Sequence, residues 1–262
     1  MYTLITGASS GIGKALALEC AAKGMDLLLV ALPGDDLLEL KREVQTDYGV
    51  RCHVFGIDLS KTCASEKVYH WIKENNYAVN VLINNVGIGS KGRFDTVSPD
   101  FYATQINLNI VTTCMLTRLL IPVLKQSPPA HILNLGSMGG FFIIPDKTVY
   151  SATKAFVYSF SRSLRIELKD SGITVSVLCP GGTDSNHKTI AINKDLKGLA
   201  KKSILTAEEV AREAIPKMLK GEAVIIPGFL NKCTYTLSQV IPKSIQNFLV
   251  QQAFKNVGKH NY

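Results

Sequence analysis

Thr6-Gly7-Ala8-Ser9-Ser10-Gly11-Ile12-Gly13 directly follows a short β-branched and leucine run, Thr3–Thr6, and opens an amphipathic stretch, Ile12–Lys23. Strand, glycine-rich turn and helix in immediate succession give such a loop the reading of a phosphate cradle rather than an ordinary tight turn. Glycine lets the backbone turn sharply and come close to a pyrophosphate, while the free N–H groups at the helix start stabilise its charge. Gly7, Ser9, Ser10, Gly11, Ile12 and Gly13 are therefore the first candidate nucleotide-binding residues.

Outward from that loop, short apolar runs alternate with longer amphipathic ones. The runs Leu27–Ala31, Arg51–Ile57, Val81–Asn84, Ile132–Leu135, Val175–Leu178 and Ala223–Ile226 predict further strands. Helices are expected near Leu37–Tyr48, Ala64–Asn75, Phe101–Lys125, Thr148–Lys169 and Ala207–Lys220. Alternation of this kind predicts an α/β fold, a single-domain Rossmann-type doubly wound parallel sheet with helices on both faces and ligands at the carboxyl ends of the strands. One domain is expected over 1–262, with a lid near 186–203 and a C-terminal extension near 227–262.

Two more loops lie at corresponding strand ends. Asp58-Leu59 follows the third strand, where a carboxylate can accept a hydrogen bond from an adenine amino group; Asp58 reads equally well as a helix N-cap. Asn84-Asn85-Val86-Gly87 follows the fourth, with Gly87 permitting close approach to a ribose. Tyr150-Ser151-Ala152-Thr153-Lys154 places a phenol and an ammonium on one face of a helix. A phenol of pKa about 10 is a poor acid–base catalyst at neutral pH, and a neighbouring cation is expected to lower it. Taken alone, this spacing reads equally as an ordinary surface pair. Ser137, at the end of the fifth strand, can donate to a substrate oxygen and favour its developing negative charge.

In order and spacing, the loop Thr6–Gly13, Asn84–Gly87, Asn107, Ser137, Tyr150 with Lys154, and Pro180-Gly181 resemble the short-chain dehydrogenase/reductase family from Met1 to about Ser185. That resemblance implies hydride transfer between a nicotinamide and a carbonyl or secondary alcohol, with Asn107, Ser137, Tyr150 and Lys154 as a catalytic tetrad. It implies that Lys154 also binds the nicotinamide ribose, that Asn107 holds a water linking Lys154 to solvent, and that Thr183 and Ser185 contact the carboxamide. Thr117-Arg118-Leu119-Leu120-Ile121-Pro122 and the run Tyr150–Val157 are similar to the branch of 3-ketoacyl-CoA reductases and 17β-hydroxysteroid dehydrogenases and related bacterial reductases, so the substrate class implied is an apolar ketone or 3-ketoacyl compound. A two-fold homodimer through the two long helices is implied as well. The rival reading is a cofactor-binding regulatory or interaction protein that kept the fold without turnover.

Cofactor choice turns on the end of the second strand. An NAD-selective site needs Asp or Glu there, and this chain has Ala31 and Leu32. The basic residue of an NADP site is also missing, both at Leu32 and at Ser10 before Gly11. Without an excluding carboxylate, and given the NADPH use that the branch implies, the expectation is NADP over NAD by less than about tenfold.

Composition narrows the other classes. The chain carries a formal +8, and twelve Lys or Arg against five Asp or Glu from Lys188 to Tyr262 put +7 of it in that segment. A solvated face is the expected reading, ahead of attraction to phosphates or anionic lipid, and nucleic acid is not expected because no basic cluster is interleaved with stacking aromatics. Leu237, Val240, Ile241, Ile245, Phe248, Leu249 and Phe254 alternate with lysines; docking on the domain's own core is expected over membrane-surface contact. Six scattered cysteines and no charged-then-apolar leader give a cytoplasmic expectation. The five histidines lack paired ligand spacing, so no metal is expected. Phe141, Phe142, Ile143 and Ile144 read either as an apolar substrate wall or as core.

Overall fold

The computed structural model describes residues 1–89, 92–194, 198–242 and 244–246. Its strands are β1 (Tyr2–Thr6), β2 (Asp26–Ala31), β3 (Cys52–Gly56), β4 (Val79–Asn84), β5 (Ala130–Leu135), β6 (Ile173–Leu178), β7 (Thr183–Asp184), β8 (Leu205–Thr206) and β9 (Val224–Ile225). Seven of them form one sheet in the order β3-β2-β1-β4-β5-β6-β9, every pairing parallel. Strand order reverses between β1 and β4, which opens a crevice at the carboxyl ends of those two strands.

Helices cover both faces: α1 (Gly11–Ala22), α2 (Asp35–Tyr48), α3 (Ala64–Glu74), α4 (Pro99–Ile106), α5 (Thr113–Leu124), α6 (Thr148–Glu167), α7 (His187–Lys194), α8 (Gly198–Lys202), α9 (Ala207–Leu219) and α10 (Phe229–Val240). In β2, Leu27 and Leu29 pack into the core beneath α1, α2 and α9, whereas Leu28 and Val30 enter the core beneath α3, α5 and α6. A strand apolar at every position is what burial on both faces of a parallel sheet demands. Leu28→Ala would leave a cavity and cost about 2–5 kcal/mol.

Between α4 and α5 the chain does not break. Ser98 caps α4, its Oγ accepting from the Phe101 amide with Pro99 in the first turn, and the helix then widens into a π-turn over Asn107–Thr112 before α5 continues. The expected plain helix over Phe101–Lys125 is thus a helix with an inserted residue, a departure concentrated at functional sites. Among the described residues, Pro99–Leu124 is the one helical run long and apolar enough to cross a bilayer, yet its inner side packs on β4 and on α3.

The C-terminal extension docks through one face of α10, but not through the apolar residues expected to do so: Leu237, Val240 and Ile245 are all exposed, so the docked side is a different one. Asn231 is buried and donates to the Ser203 and Pro227 carbonyls, and Tyr235 packs against Phe141 and meets the Tyr158 hydroxyl at 3.3 Å. The other face is open, with Phe229 80% exposed. Phe248, Leu249 and Phe254 lie outside the described residues.

Candidate active site

The glycine loop lies where β1 ends. Gly7 and Gly11 adopt left-handed backbone, φ +64° and +55°, which favours glycine. A methyl group on Gly13 would collide with the Gly7 carbonyl, so α1 starts as close to the turn as backbone allows. Asn85, whose part the sequence did not reveal, holds the loop from the side: its amide nitrogen donates to the Thr6 carbonyl at 2.9 Å and the Gly7 carbonyl at 3.0 Å. The first turn of α1 carries neither a side-chain cap nor a carboxylate, leaving its N–H groups and the positive helix end facing the crevice. From across the crevice the loop after β6 closes in, because a methyl on Gly11 would stand 2.9 Å from the Ser185 carbonyl oxygen. Gly7, Ser9, Ser10, Gly11, Ile12, Gly13 and Ser185 thus border one cradle at the uncapped start of α1.

Leu32, at the end of β2, is 62% exposed beside that cradle. Asp35 and Asp36 lie beyond it in the exposed first turn of α2, where carboxylates favour the helix dipole. After β3, Asp58 does not cap α3, whose N-cap is Cys63. Its carboxylate accepts from the Ser60 amide at 2.9 Å instead, and the hydrogen bonds from Ser60 hold its pKa below the usual carboxylate range. Leu59 is buried.

Asn84 requires a correction. Its side chain points into the interior, where the amide nitrogen donates to Thr117 Oγ1 and Asn134 Oδ1, both at 2.9 Å, so it braces β4 against β5 and α5 beneath the site and has no face on the crevice. Gly87 does face it: a methyl there would lie 2.8 Å from Asn109 Oδ1 and 3.6 Å from Lys154 Nζ.

Ser137 follows β5 in extended backbone and caps a single 3-10 turn, Met138–Gly140, through its Oγ. Tyr150 stands in the first turn of α6 and Lys154 one turn later. The Ser137 hydroxyl stands close enough to the Tyr150 phenol to favour its ionised form. Gly139 leaves room for both, since a methyl on it would sit 3.3 Å from Ser137 Oγ and 3.5 Å from Tyr150 Cε1. Lys154 is only 4% exposed; its ammonium donates to the Leu135 carbonyl at 2.7 Å, and burial pushes its pKa down to about 8. The phenol behaves otherwise than the spacing suggested. Burial raises the Tyr150 pKa, the Ser137 hydroxyl only partly offsets this, and Lys154 Nζ stays 5.9 Å from the ring centre with its charge turned to Leu135. Desolvation outweighs a cation that is itself engaged elsewhere.

The asparagine that bonds to the helix of Tyr150 and Lys154 is not the expected Asn107 but Asn109. Asn107 points away from Tyr150 and Lys154 and donates to the Ser60 carbonyl at 2.6 Å. Asn109, fully buried in the same π-turn, reaches their helix: Oδ1 accepts from the Ile88 amide at 2.9 Å, and Nδ2 donates to the Ile88 carbonyl at 3.1 Å and to Thr153 Oγ1 at 2.9 Å. Thr153 in turn donates to the Tyr150 carbonyl at 2.7 Å. Asn-x-Asn offers two candidates, and helical spacing cannot separate them once a π-turn changes the phase. The signal available was Thr153, a hydroxyl between Tyr150 and Lys154 that needs a buried partner.

A profile of the short chain dehydrogenase family matches residues 2–196. The chain belongs to this family. Within it, curated relatives include very-long-chain 3-oxoacyl-CoA reductases, 34% identical over 68% of this chain in the Danio rerio A form and 37% identical over 68% in Anas platyrhynchos. The chain spans 57% and 58% of the length of those two proteins. Among solved structures, a short-chain dehydrogenase from Sphingobium yanoikuyae in complex with NADPH superposes with a TM-score of 0.79 at 29% identity, covering 92% of this chain and 96% of that one. The bulky-bulky ketone specific alcohol dehydrogenase of Comamonas testosteroni gives 0.77 at 28% identity, covering 92% and 95%.

The walls of this short-chain dehydrogenase site divide the apolar run after Ser137. Phe141 and Phe142 belong to a small core with Met138, Val157 and Tyr235, as packing predicts. Ile143 is 71% exposed, and Ile144 lies beside Gly139 at the crevice. Pro180 accepts from the Met138 amide at 2.9 Å, tying the loop after β6 to the turn after Ser137. Gly181 is pressed against Asn231 of α10, while Thr183 turns back to the Gly181 carbonyl rather than outward. The segment expected to act as a lid carries α7 and α8, with residues 195–197 outside the described set.

Proposed function

We propose that this chain catalyses reversible hydride transfer between a nicotinamide dinucleotide and a carbonyl or secondary alcohol carbon. The observation that carries this reading is the convergence of Ser137, Tyr150 and Lys154 at the carboxyl end of β5, within one crevice from the glycine cradle. The dinucleotide would be held by Gly7 to Gly13, Asp58, Gly87, Lys154 and the loop from Pro180 to Ser185, and when bound supplies or accepts the hydride. Ser137 orients the substrate oxygen by hydrogen bonding and favours its negative charge. Tyr150, raised in pKa and therefore protonated at neutral pH, gives its phenolic proton to that oxygen in the reducing direction. Lys154, near neutrality in pKa, has its ammonium beside the Gly87 turn, where a ribose can accept from it, and returns a proton toward the phenol. Asn109, not Asn107, fixes the strand and helix around this relay.

An apolar ketone or 3-ketoacyl thioester is the proposed substrate class, supported by Ile144 beside Gly139 at the crevice and by the names of the curated relatives. NADP is the proposed preference. Ala31 and the exposed Leu32 leave no excluding carboxylate at the end of β2, and Asp35 and Asp36 are exposed further along. A homodimer through α5 and α6 is supported by outward apolar residues on both, Val111 and Met115 on one run and Phe156 and Ile166 on the other. The test of function is consumption of NADPH and of NADH by purified protein against ketoacyl thioesters, ketosteroids, small ketones and sugars. Binding of both cofactors with no turnover on the whole panel would instead favour a regulatory protein on this fold.

A further inference from the structure

We infer that Asn107 is a positioning residue for the nucleobase end of the cofactor site, acting through the Asp58–Ser60 loop; the inference rests on the nucleotide-binding reading above. The π-turn that presents Asn109 to the catalytic pair presents Asn107 and Thr112 to the opposite side. Asn107 Nδ2 donates to the Ser60 carbonyl at 2.6 Å and Thr112 Oγ1 to the Leu59 carbonyl at 3.1 Å. Both acceptors belong to the loop that carries Asp58, whose carboxylate is in turn held by the Ser60 amide at 2.9 Å. Asp58 therefore sits in a turn pinned on three atoms, two of them by side chains 47 and 53 residues away.

The Leu59 carbonyl is met in the interior, whereas the half-buried Ser60 carbonyl can be satisfied by water, so fold stability alone does not call for both donors. What they contribute is placement. A loop fixed from a rigid helix holds its carboxylate in one direction, so that the nucleobase meets an ordered partner and the ordering entropy is not lost at binding. The inserted residue of the π-turn makes this arrangement available. In an uninterrupted α-helix, residues two apart point about 200° from each other, and the extra residue rotates the second pair so that 107 and 112 share the loop while 109 stays inward.

The test is equilibrium binding by Asn107→Leu, near in volume and lacking the donor, and by the isosteric Asn107→Asp. Two probes are titrated, NADPH and ADP-ribose, the second carrying the adenine end without the nicotinamide. The expectation for both variants is a dissociation constant raised about tenfold for NADPH and by the same factor for ADP-ribose, with an unfolding midpoint within about 2 °C of wild type. Equal factors place the whole loss at the nucleobase end. An unchanged NADPH constant, a loss for NADPH with none for ADP-ribose, or an Asn107→Asp protein that binds both like wild type would each overturn the inference. Failure of the wild-type protein to bind either probe would instead sink the nucleotide-binding reading beneath it.

Discussion

Lys154→Met tests the electrostatics of the site directly, because methionine keeps an unbranched side chain and removes the charge. Burial moves the lysine pKa from an ordinary 10.5 to about 8. At 1.36 kcal/mol per pKa unit, holding the charged form costs the folded state about 3 kcal/mol below pH 8. The substitution also leaves the Leu135 carbonyl without its 2.7 Å donor, a loss of about 1–3 kcal/mol. The net expectation at pH 7 is a variant more stable than wild type by about 1 kcal/mol. Between pH 8 and 10.5 the unfolded lysine keeps a proton that the folded one has released, so wild-type stability gains with rising pH relative to the variant. By pH 10 the order is expected to invert, with the difference shifted by about 2–3 kcal/mol. Urea unfolding of both proteins at pH 7 and pH 10 measures it, and the wild-type minus variant difference cancels the other titrating groups. A difference constant within about 0.5 kcal/mol would refute the idea that a buried ammonium is held at a cost to the fold.

Tyr150→Phe should reduce turnover about 100- to 10,000-fold while leaving the NADPH dissociation constant within about twofold, since only the transferable proton is lost; retention of a tenth of the activity would remove Tyr150 from the proton step. For Gly13→Ala, the collision with Gly7 predicts a cradle forced open and dinucleotide binding weakened beyond about 100-fold, measured by fluorescence titration. Titrating both reduced cofactors should give NADPH the tighter constant by less than about tenfold, or about 1.4 kcal/mol; NADH tighter by more than that would mean that Leu32 is not the selecting position. Light scattering is expected at the dimer mass, with Val111→Lys shifting it to the monomer.

Periodicity located the seven strands of the sheet to within a few residues because the inner five are buried on both faces, and a buried run carries its own signal. The long helices were legible for the related reason that one stripe of each is apolar. Hidden from that logic were features defined by phase and by tertiary partners. Nothing local distinguishes Asn107 from Asn109, and the inserted residue that decides between them makes no mark on composition. Asn84 and Asn85 adjoin, so opposite faces of β4 send one into the interior and leave the other at the glycine loop. The direction of the Tyr150 shift was illegible as well, because it depends on how deeply the phenol is buried and on where Lys154 spends its charge. Two-residue strands such as β7 and β8 are too short to carry any pattern.

That short pair sets how the substrate side can change. Thr183 aligns with Leu205 and Asp184 with Thr206, so the segment 185–204 leaves and re-enters the body of the protein about one strand spacing apart. Thr206 then anchors the return through a reciprocal capping box with Glu209, in the first turn of a helix whose inner face is core. A loop whose two feet are stapled together is an interchangeable cassette. Between its end contacts, Ser185 against Gly11 and the Ser203 carbonyl bonded by Asn231, added length costs closure entropy, about 0.6 kcal/mol for a doubling. Grafting a segment of different length and polarity between those feet is expected to change which carbonyls the proposed site accepts, with Tyr150 and Lys154 left as they are.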